Sequence, residues 1–481
     1  MVFLGAAVGT VLLYAVWVVW VPLLPTNLYI PLLDLGKITG YTWASAGLYL
    51  ALVLLLFALY AVGYRAITSG KSRVKTWWLF AAGAILCAEL VWAYPATAVD
   101  VFGYVASGQI LGLHQANPFV VLPSAFPGDA ILAYVAYPDE PSQYGPVWVL
   151  LSGAVAALTR TDLPSEVLMY KVVAAAAHLA SAGAIYHIAL RLTASGRMAQ
   201  ASAFLFLWNP LLLWEMVANA HNDGFMMLLG LVGVWLFVAG HDLFALLAIA
   251  AGALVKAPVA LIGPVVFAGA ARRNCPRAVE GALLGLLLAA VVYRPFWEGP
   301  RTLTALQRAD LFTASLGAVL RLALAPALGL GDAGAFASTV SLSAFTAIAV
   351  MSVMLAFRAQ TDVERLRPAY YTLLAALLLL TTWFQAWYVV WPFALGAALA
   401  EPRRHLEVAL LSLGGLLQYF VFIYLWVMGF FPRTENLGVQ LTAYLAIVGP
   451  LLVMLIVRAA PRVHLPIPRR LSQTRPSAEY H

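Results

Sequence analysis

Charge is the first thing this sequence has little of. Asp, Glu, Lys and Arg make up 10% of its 481 residues, against roughly 25% in an ordinary soluble domain. Hydrophobic residues make up 63%, and the mean hydropathy is +0.88. That balance excludes a soluble globular protein. Cysteine is nearly absent as well. Cys87 lies inside an apolar run and Cys275 in the Arg-rich stretch ARRNCPR, a placement that supports neither a structural disulfide nor a Cys/His metal centre. No internal repeat is visible, and the only biased segment is the Pro/Arg-rich tail, expected to be mobile. A formal net charge of +7 would suit a nucleic-acid partner. The cations, however, lie in short loops and in the tail, as in cytoplasmic loops of membrane proteins, so no nucleic-acid binding is expected.

What the chain does have is apolar runs of membrane length that recur to its end, the mark of a helical bundle rather than a barrel. Spans are expected near 4–24, 43–63, 76–94, 165–192, 201–218, 224–240, 242–255, 257–268, 277–293, 337–357, 368–385, 387–400, 405–428 and 437–458. This is an all-α polytopic membrane protein of about 13–14 spans by that reading. The first run lacks a basic leader and a small-residue cleavage site, so a retained anchor is expected.

Orientation follows from the loops. Arg65, Lys71, Arg73 and Lys75 place the second loop in the cytoplasm. The clusters at Arg191/Arg197, Arg272/Arg273/Arg277, Arg358/Arg365/Arg367 and Arg403/Arg404, and the tail from Arg458, fall on the same side if Pro146–Thr159 does not cross. At about 14 residues that run is short for a span and suits a re-entrant helix. Both termini are then cytoplasmic. The loop from about 95 to 145, which has no Lys or Arg, is extracytoplasmic.

The polar residues of this greasy chain collect on that outer face. Asp100 ends an apolar run and opens VFGYVASGQILG. It could simply cap that helix, but an ionisable group at a membrane boundary is also a site candidate. Asp100, Tyr104 and Gly108 are spaced to share one helical face, and Gly108 and Gly112 would let a backbone or a ligand come close. Asn117-Pro118 turns the chain, and YPDEPSQYGPVW brings Asp139, Glu140 and Tyr144 ahead of the short helix. WNPLLLWEMVANAHNDG carries Glu215 inside a span and His221, Asn222 and Asp223 at its outer end, where a water-facing helix terminus is the plainer reading. Lys256 stands between two short apolar runs and could merely snorkel. Arg294 and Arg308 are the other outer cations, suited to phosphate. WFQAWYVVW, with Gln385, Trp387 and Tyr388, could be an interfacial aromatic belt.

In this order, the external D..GY…NPF, then YGP.W, NP.LL.E…HND, K.P and W.Q.WY..W.P, the chain resembles the GT-C superfamily of integral-membrane glycosyltransferases. It is most similar to the polyprenol-phosphate-mannose-dependent mannosyltransferase branch, over about Leu90 to Pro392. The resemblance implies a polyprenyl-phosphate sugar donor, a glycan or glycolipid acceptor, and an extracytoplasmic site with Asp100 as general base. Asp223 maps to the second acidic position, with Asn222 beside it. Lys256, Arg294 and Arg308 would meet the phosphate. Tyr104, Asn117, Asp139, Glu140, Tyr144, His221, Asn222, Asp223, Gln385, Trp387 and Tyr388 would line the sugar and acceptor region. Val99 and Val101 flank Asp100, so no metal-ligating acidic pair is present there, and no metal or other cofactor is expected. The domain reading is an N-terminal two-helix extension over 1–75, a catalytic module over 76–460 and a basic tail over 461–481. The rival reading is a transporter or flippase, which would normally hold its ionisable groups at the bilayer midplane and show repeated halves.

Overall fold

The computed structural model describes residues 2–70, 74–303 and 311–459. Their regular secondary structure is helical, with isolated bridges but no strand, as backbone without water to bond requires. Seven helical stretches are long and apolar enough to cross a bilayer: Val2–Trp20, Trp43–Thr68, Leu163–Thr193, Ala257–Phe296 (broken at Asn274), Leu330–Arg358, Pro402–Trp426 and Leu437–Arg458. An eighth span is possible if Gly196–Leu207 and Pro210–Ala218, bent by 45°, count as one. Thr76–Leu90, Pro146–Thr159, Asp223–Val238, Asp242–Ala253, Leu316–Leu328 and Ala386–Ala398 are shorter apolar helices. The expected span count is thus reached only by including partial helices. Pro146–Thr159 is one of these, since 14 residues rise only about 21 Å against a hydrocarbon thickness of about 30 Å. Leu316–Leu328, capped by Ser315, was not among the expected spans.

The stretch Gly263–Tyr293 is two arms rather than one long helix. Asn274 leaves helical geometry, and its side chain accepts the Arg277 N–H at 3.2 Å to start the second arm. Arg273 reaches back to Asp242 and the Phe237 carbonyl. Gly281 then packs on Leu243 and Gly285 on Ala250, so the chain reverses direction at Asn274. This matches the separate runs expected on either side of ARRNCPR.

The core is organised around one buried spine, because nearly every residue from 201 to 224 is buried. Pro210 has no N–H to donate and breaks the spine there. Asn209 bridges the break, its side chain accepting the Leu212 N–H at 3.1 Å and donating to Ser412 Oγ at 2.7 Å. Leu213–Ala218 then runs in wide π-helical turns. The two N-terminal helices seat directly on the spine: Trp17 meets Trp214 at 4.1 Å, and Tyr60 of the second donates to the Leu205 carbonyl.

Asp100–Gly112 crosses Pro146–Thr159 at close range. A Cβ on Gly108 would overlap the Ser152 carbonyl, and one on Gly112 the Gly153 carbonyl. The two glycines therefore serve a helix–helix approach of the small-xxx-small kind rather than a ligand.

Candidate active site

The N-terminal end of the Asp100–Gly112 helix opens into a cavity of about 300 Å³. Asp100, Gly103 and Ser107 form one wall, Glu140 to Tyr144 a second, and Lys256, Trp383, Trp387 and Tyr388 a third. The face turned to the cavity is therefore Asp100–Gly103–Ser107. Tyr104 and Gly108, expected to share it, belong to the adjoining stripe, with Tyr104 fully buried.

Asp100 is not a cap. The N-cap position is Val99, which makes no side-chain bond, and Asp100 is the first helical residue. There its charge is favoured by the helix dipole and its carboxylate stays available. Tyr144 donates its hydroxyl to Asp100 Oδ1 at 2.8 Å. Burial, and then the adjacent Asp100 charge, push the Tyr144 phenol well above its usual range, so it remains a donor and fixes the carboxylate's direction.

Lys256 does not snorkel. Its ammonium lies 2.7 Å from Asp223 Oδ2, with 16% of its side chain accessible and Asp223 fully buried. The Tyr388 ring centroid is 5.0 Å away and that of Tyr144 5.8 Å. Trp391 Nε1 donates to the other oxygen of Asp223 at 2.7 Å. Asp223 is thus held at both oxygens, and its effect on the cavity passes through Lys256. An ammonium has three N–H bonds, so Lys256 keeps donors for a ligand. The approach of Tyr144 to Lys256 depends on Gly145. Its N–H donates to the Val255 carbonyl at 2.8 Å and that of Val147 to Leu254 at 3.0 Å, while a Cβ at 145 would overlap the Leu254 carbonyl.

Behind this wall lies a second polar layer. His221 and Asn222 are buried, which corrects the water-facing reading of that helix end. His221 stacks on Trp387 at 3.9 Å and lies 3.3 Å from Glu215 Oε2, off the line of a hydrogen bond. Glu215 accepts from Asn219 at 2.8 Å and from Thr97 at 3.3 Å, three residues before Asp100. Asn222 donates its backbone N–H to the Tyr104 hydroxyl at 3.3 Å.

Several expected residues stand elsewhere. Asn117 donates to the Phe296 carbonyl and to Glu298 at 2.8 and 2.9 Å, tying its loop to the chain after Tyr293. Arg294 and Asp139 lie outside the cavity lining. Gln385 is half-buried and also outside it. Arg308 lies outside the described residues. Among the described residues no group of three or more His, Cys, Asp or Glu is placed to hold a metal ion.

Four contributors were not singled out in the sequence. Trp383 and Trp391 are hidden in an aromatic run, and only the i+3 spacing of Trp391 from Tyr388, on which it stacks at 4.4 Å, hints at a shared wall. Ser107 carries no signal beyond lying near the Asp100 stripe. Lys171, buried mid-helix, donates to the Ala218 carbonyl and so anchors the turn that delivers Asp223. An isolated cation inside an apolar run was its signal.

Residues 2–272 match the family model for the alpha-(1->6)-mannopyranosyltransferase N-terminal domain. An alpha-(1->6)-mannopyranosyltransferase of Mycobacterium tuberculosis is 29% identical over 162 residues, covering 32% of this chain and 26% of that protein. Alpha-(1->6)-mannopyranosyltransferase B of Corynebacterium glutamicum is 25% identical over 161 residues, again 32% of this chain and 26% of the relative. The aligned chain thus spans about a quarter of the length of these curated relatives. The family match contains Asp100, Tyr144, Asp223 and Lys256, while the aromatic wall from Trp383 to Trp391 lies beyond it.

Proposed function

The chain belongs to the alpha-(1->6)-mannopyranosyltransferase family, and from that premise we propose that it transfers a mannosyl residue from a polyprenyl-phosphate donor to a glycan or glycolipid acceptor on the extracytoplasmic face. The observation that carries this reading is the pairing, across one small cavity, of a directed carboxylate (Asp100) with a cation that has donors to spare (Lys256). The acceptor hydroxyl would attack the anomeric carbon while the bond to the phosphate oxygen breaks, with inversion. Asp100 takes the hydroxyl proton, and Lys256 meets the negative charge that grows on the departing polyprenyl phosphate. Trp383, Trp387 and Tyr388 would offer faces to the sugar or to the first prenyl unit. Asp223 and Trp391 hold Lys256 in place, and Tyr144 holds Asp100.

Sidedness decides which donors are available, since nucleotide sugars are cytoplasmic. The cavity loop has no Lys or Arg, while the Arg clusters lie at the opposite helix ends. In intact cells, a Gln143→Cys variant should react with an impermeant thiol reagent, because Gln143 lines the cavity. The native Cys275, exposed in the Arg-rich turn, should label only after lysis. Labelling of Cys275 in intact cells, with the thiol introduced at Gln143 left unreacted, would put the cavity inside and remove the case for a lipid-linked donor.

A further inference from the structure

A second and larger hollow lies on the helix pair Leu330–Arg358 and Asp362–Ala375, and its lining shares no residue with the cavity at Asp100. It is a groove of about 910 Å³ whose walls are almost wholly apolar, with Ile348, Met351, Leu355, Leu374 and Leu378 among them. Met351 and Leu355 are each 51% exposed on a helix of membrane-spanning length and hydropathy, so the groove faces bilayer rather than protein core. Its polar residues are concentrated where the first helix ends, at Arg358, Glu364 and Arg367.

The charges at that end are unequally satisfied. Arg367 is paired with Glu401. Glu364 is committed to its own helix start, accepting the Gln360 and Thr361 N–H groups at 2.9 and 3.1 Å. Arg403 and Arg404 are paired with Glu407, and Arg365 with Asp362. Arg358 is exposed, and among the described residues its guanidinium has no carboxylate partner. An apolar slot open to acyl chains, ending in a guanidinium that has no ion-pair partner among the described residues, is complementary to an anionic phospholipid. Basic pockets between spanning helices bind such headgroups, and a guanidinium suits a phosphate bidentately.

The geometry points to a binding site for one anionic phospholipid in this groove, its acyl chain along Met351, Leu355 and Leu378 and its phosphate on Arg358. It lies in the leaflet on the Arg-rich face, and it does not depend on the transfer reaction or its donor.

Native mass spectrometry of the purified full chain, offered equal phosphatidylglycerol and phosphatidylcholine of the same acyl chains, tests the assignment. The wild type should retain phosphatidylglycerol preferentially. Arg358→Ala should lower that preference about fivefold, the worth of one basic residue near a lipid surface, and Arg358→Lys should largely keep it. Met351→Trp, which fills the slot, should reduce retention of both lipids. Equal retention of the two lipids by the wild type, or an unchanged preference in Arg358→Ala, would overturn the site. So would competition in which polyprenyl phosphate displaces phosphatidylglycerol from the wild type, which would make the groove the seat of a donor's prenyl tail.

Discussion

Replacing Asp100 by Asn should leave a folded, donor-binding protein that has lost most of its transfer rate. The amide oxygen can still accept the Tyr144 hydroxyl that now bonds Oδ1 at 2.8 Å. Because Val99 is the N-cap residue, no capping bond is lost. What disappears is the ability to take a proton, and general-base catalysis typically contributes about 10²–10⁴-fold. Loss of the charge from the helix start costs roughly 0.3–1 kcal/mol at most exposed sites, too little to unfold the chain. Melting temperature in detergent and single-turnover transfer from a polyprenyl-phosphate mannose, measured on one preparation, separate the two effects. A well-folded Asp100→Asn with near-normal turnover would remove Asp100 as the base and turn attention to Glu140, the other carboxylate on the cavity wall.

Lys256→Met should do two kinds of damage, and a second substitution distinguishes them. The single variant leaves Asp223 fully buried with only Trp391 as partner. Removing one member of a buried pair typically destabilises by about 3–5 kcal/mol. It also removes the cation proposed for the leaving phosphate, where a charge-assisted contact is worth about 1.5–3 kcal/mol, or roughly ten- to over a hundredfold in rate. The double variant Lys256→Met/Asp223→Asn no longer carries an orphan charge and should regain much of the stability. Its transfer rate should stay low. The cycle of single and double variants isolates the coupling. If the double variant recovers turnover together with melting temperature, Lys256 is a structural partner of Asp223 and nothing more.

These roles were unequally visible in the sequence. Asp100 stood out as a carboxylate closing an apolar run and Lys256 as a lone cation between apolar runs, although capping and snorkelling were open to them as structural readings. Their supports were not visible. Lys256 and Asp223 are 33 residues apart and meet only once the helices Asp223–Val238 and Asp242–Ala253 have folded back on each other. Trp391 was masked by a run that any membrane interface could display. Gly108 and Gly112 signalled a close approach without saying whose, and the carbonyls of Ser152 and Gly153 turned out to be the neighbours. Arg294 fits a phosphate by residue type, but its turn lies outside the lining of the cavity that Asp100 and Lys256 share. The turn at Asn274 was legible from ARRNCPR, since Pro276 stops one helix and starts another. The short helices were harder, because apolar composition does not distinguish a partial helix from a span.

The proposed reaction can be tested without any variant. The purified chain, reconstituted in nanodiscs, is given radiolabelled mannose on a polyprenyl phosphate in one reaction and on a nucleotide diphosphate in the other, with an alpha-(1->6)-mannoside acceptor in both. The account predicts a product one mannose longer from the lipid-linked donor, free polyprenyl phosphate released in equal amount, and no product from the nucleotide sugar. Transfer from the nucleotide sugar, with none from the polyprenyl phosphate, would contradict it.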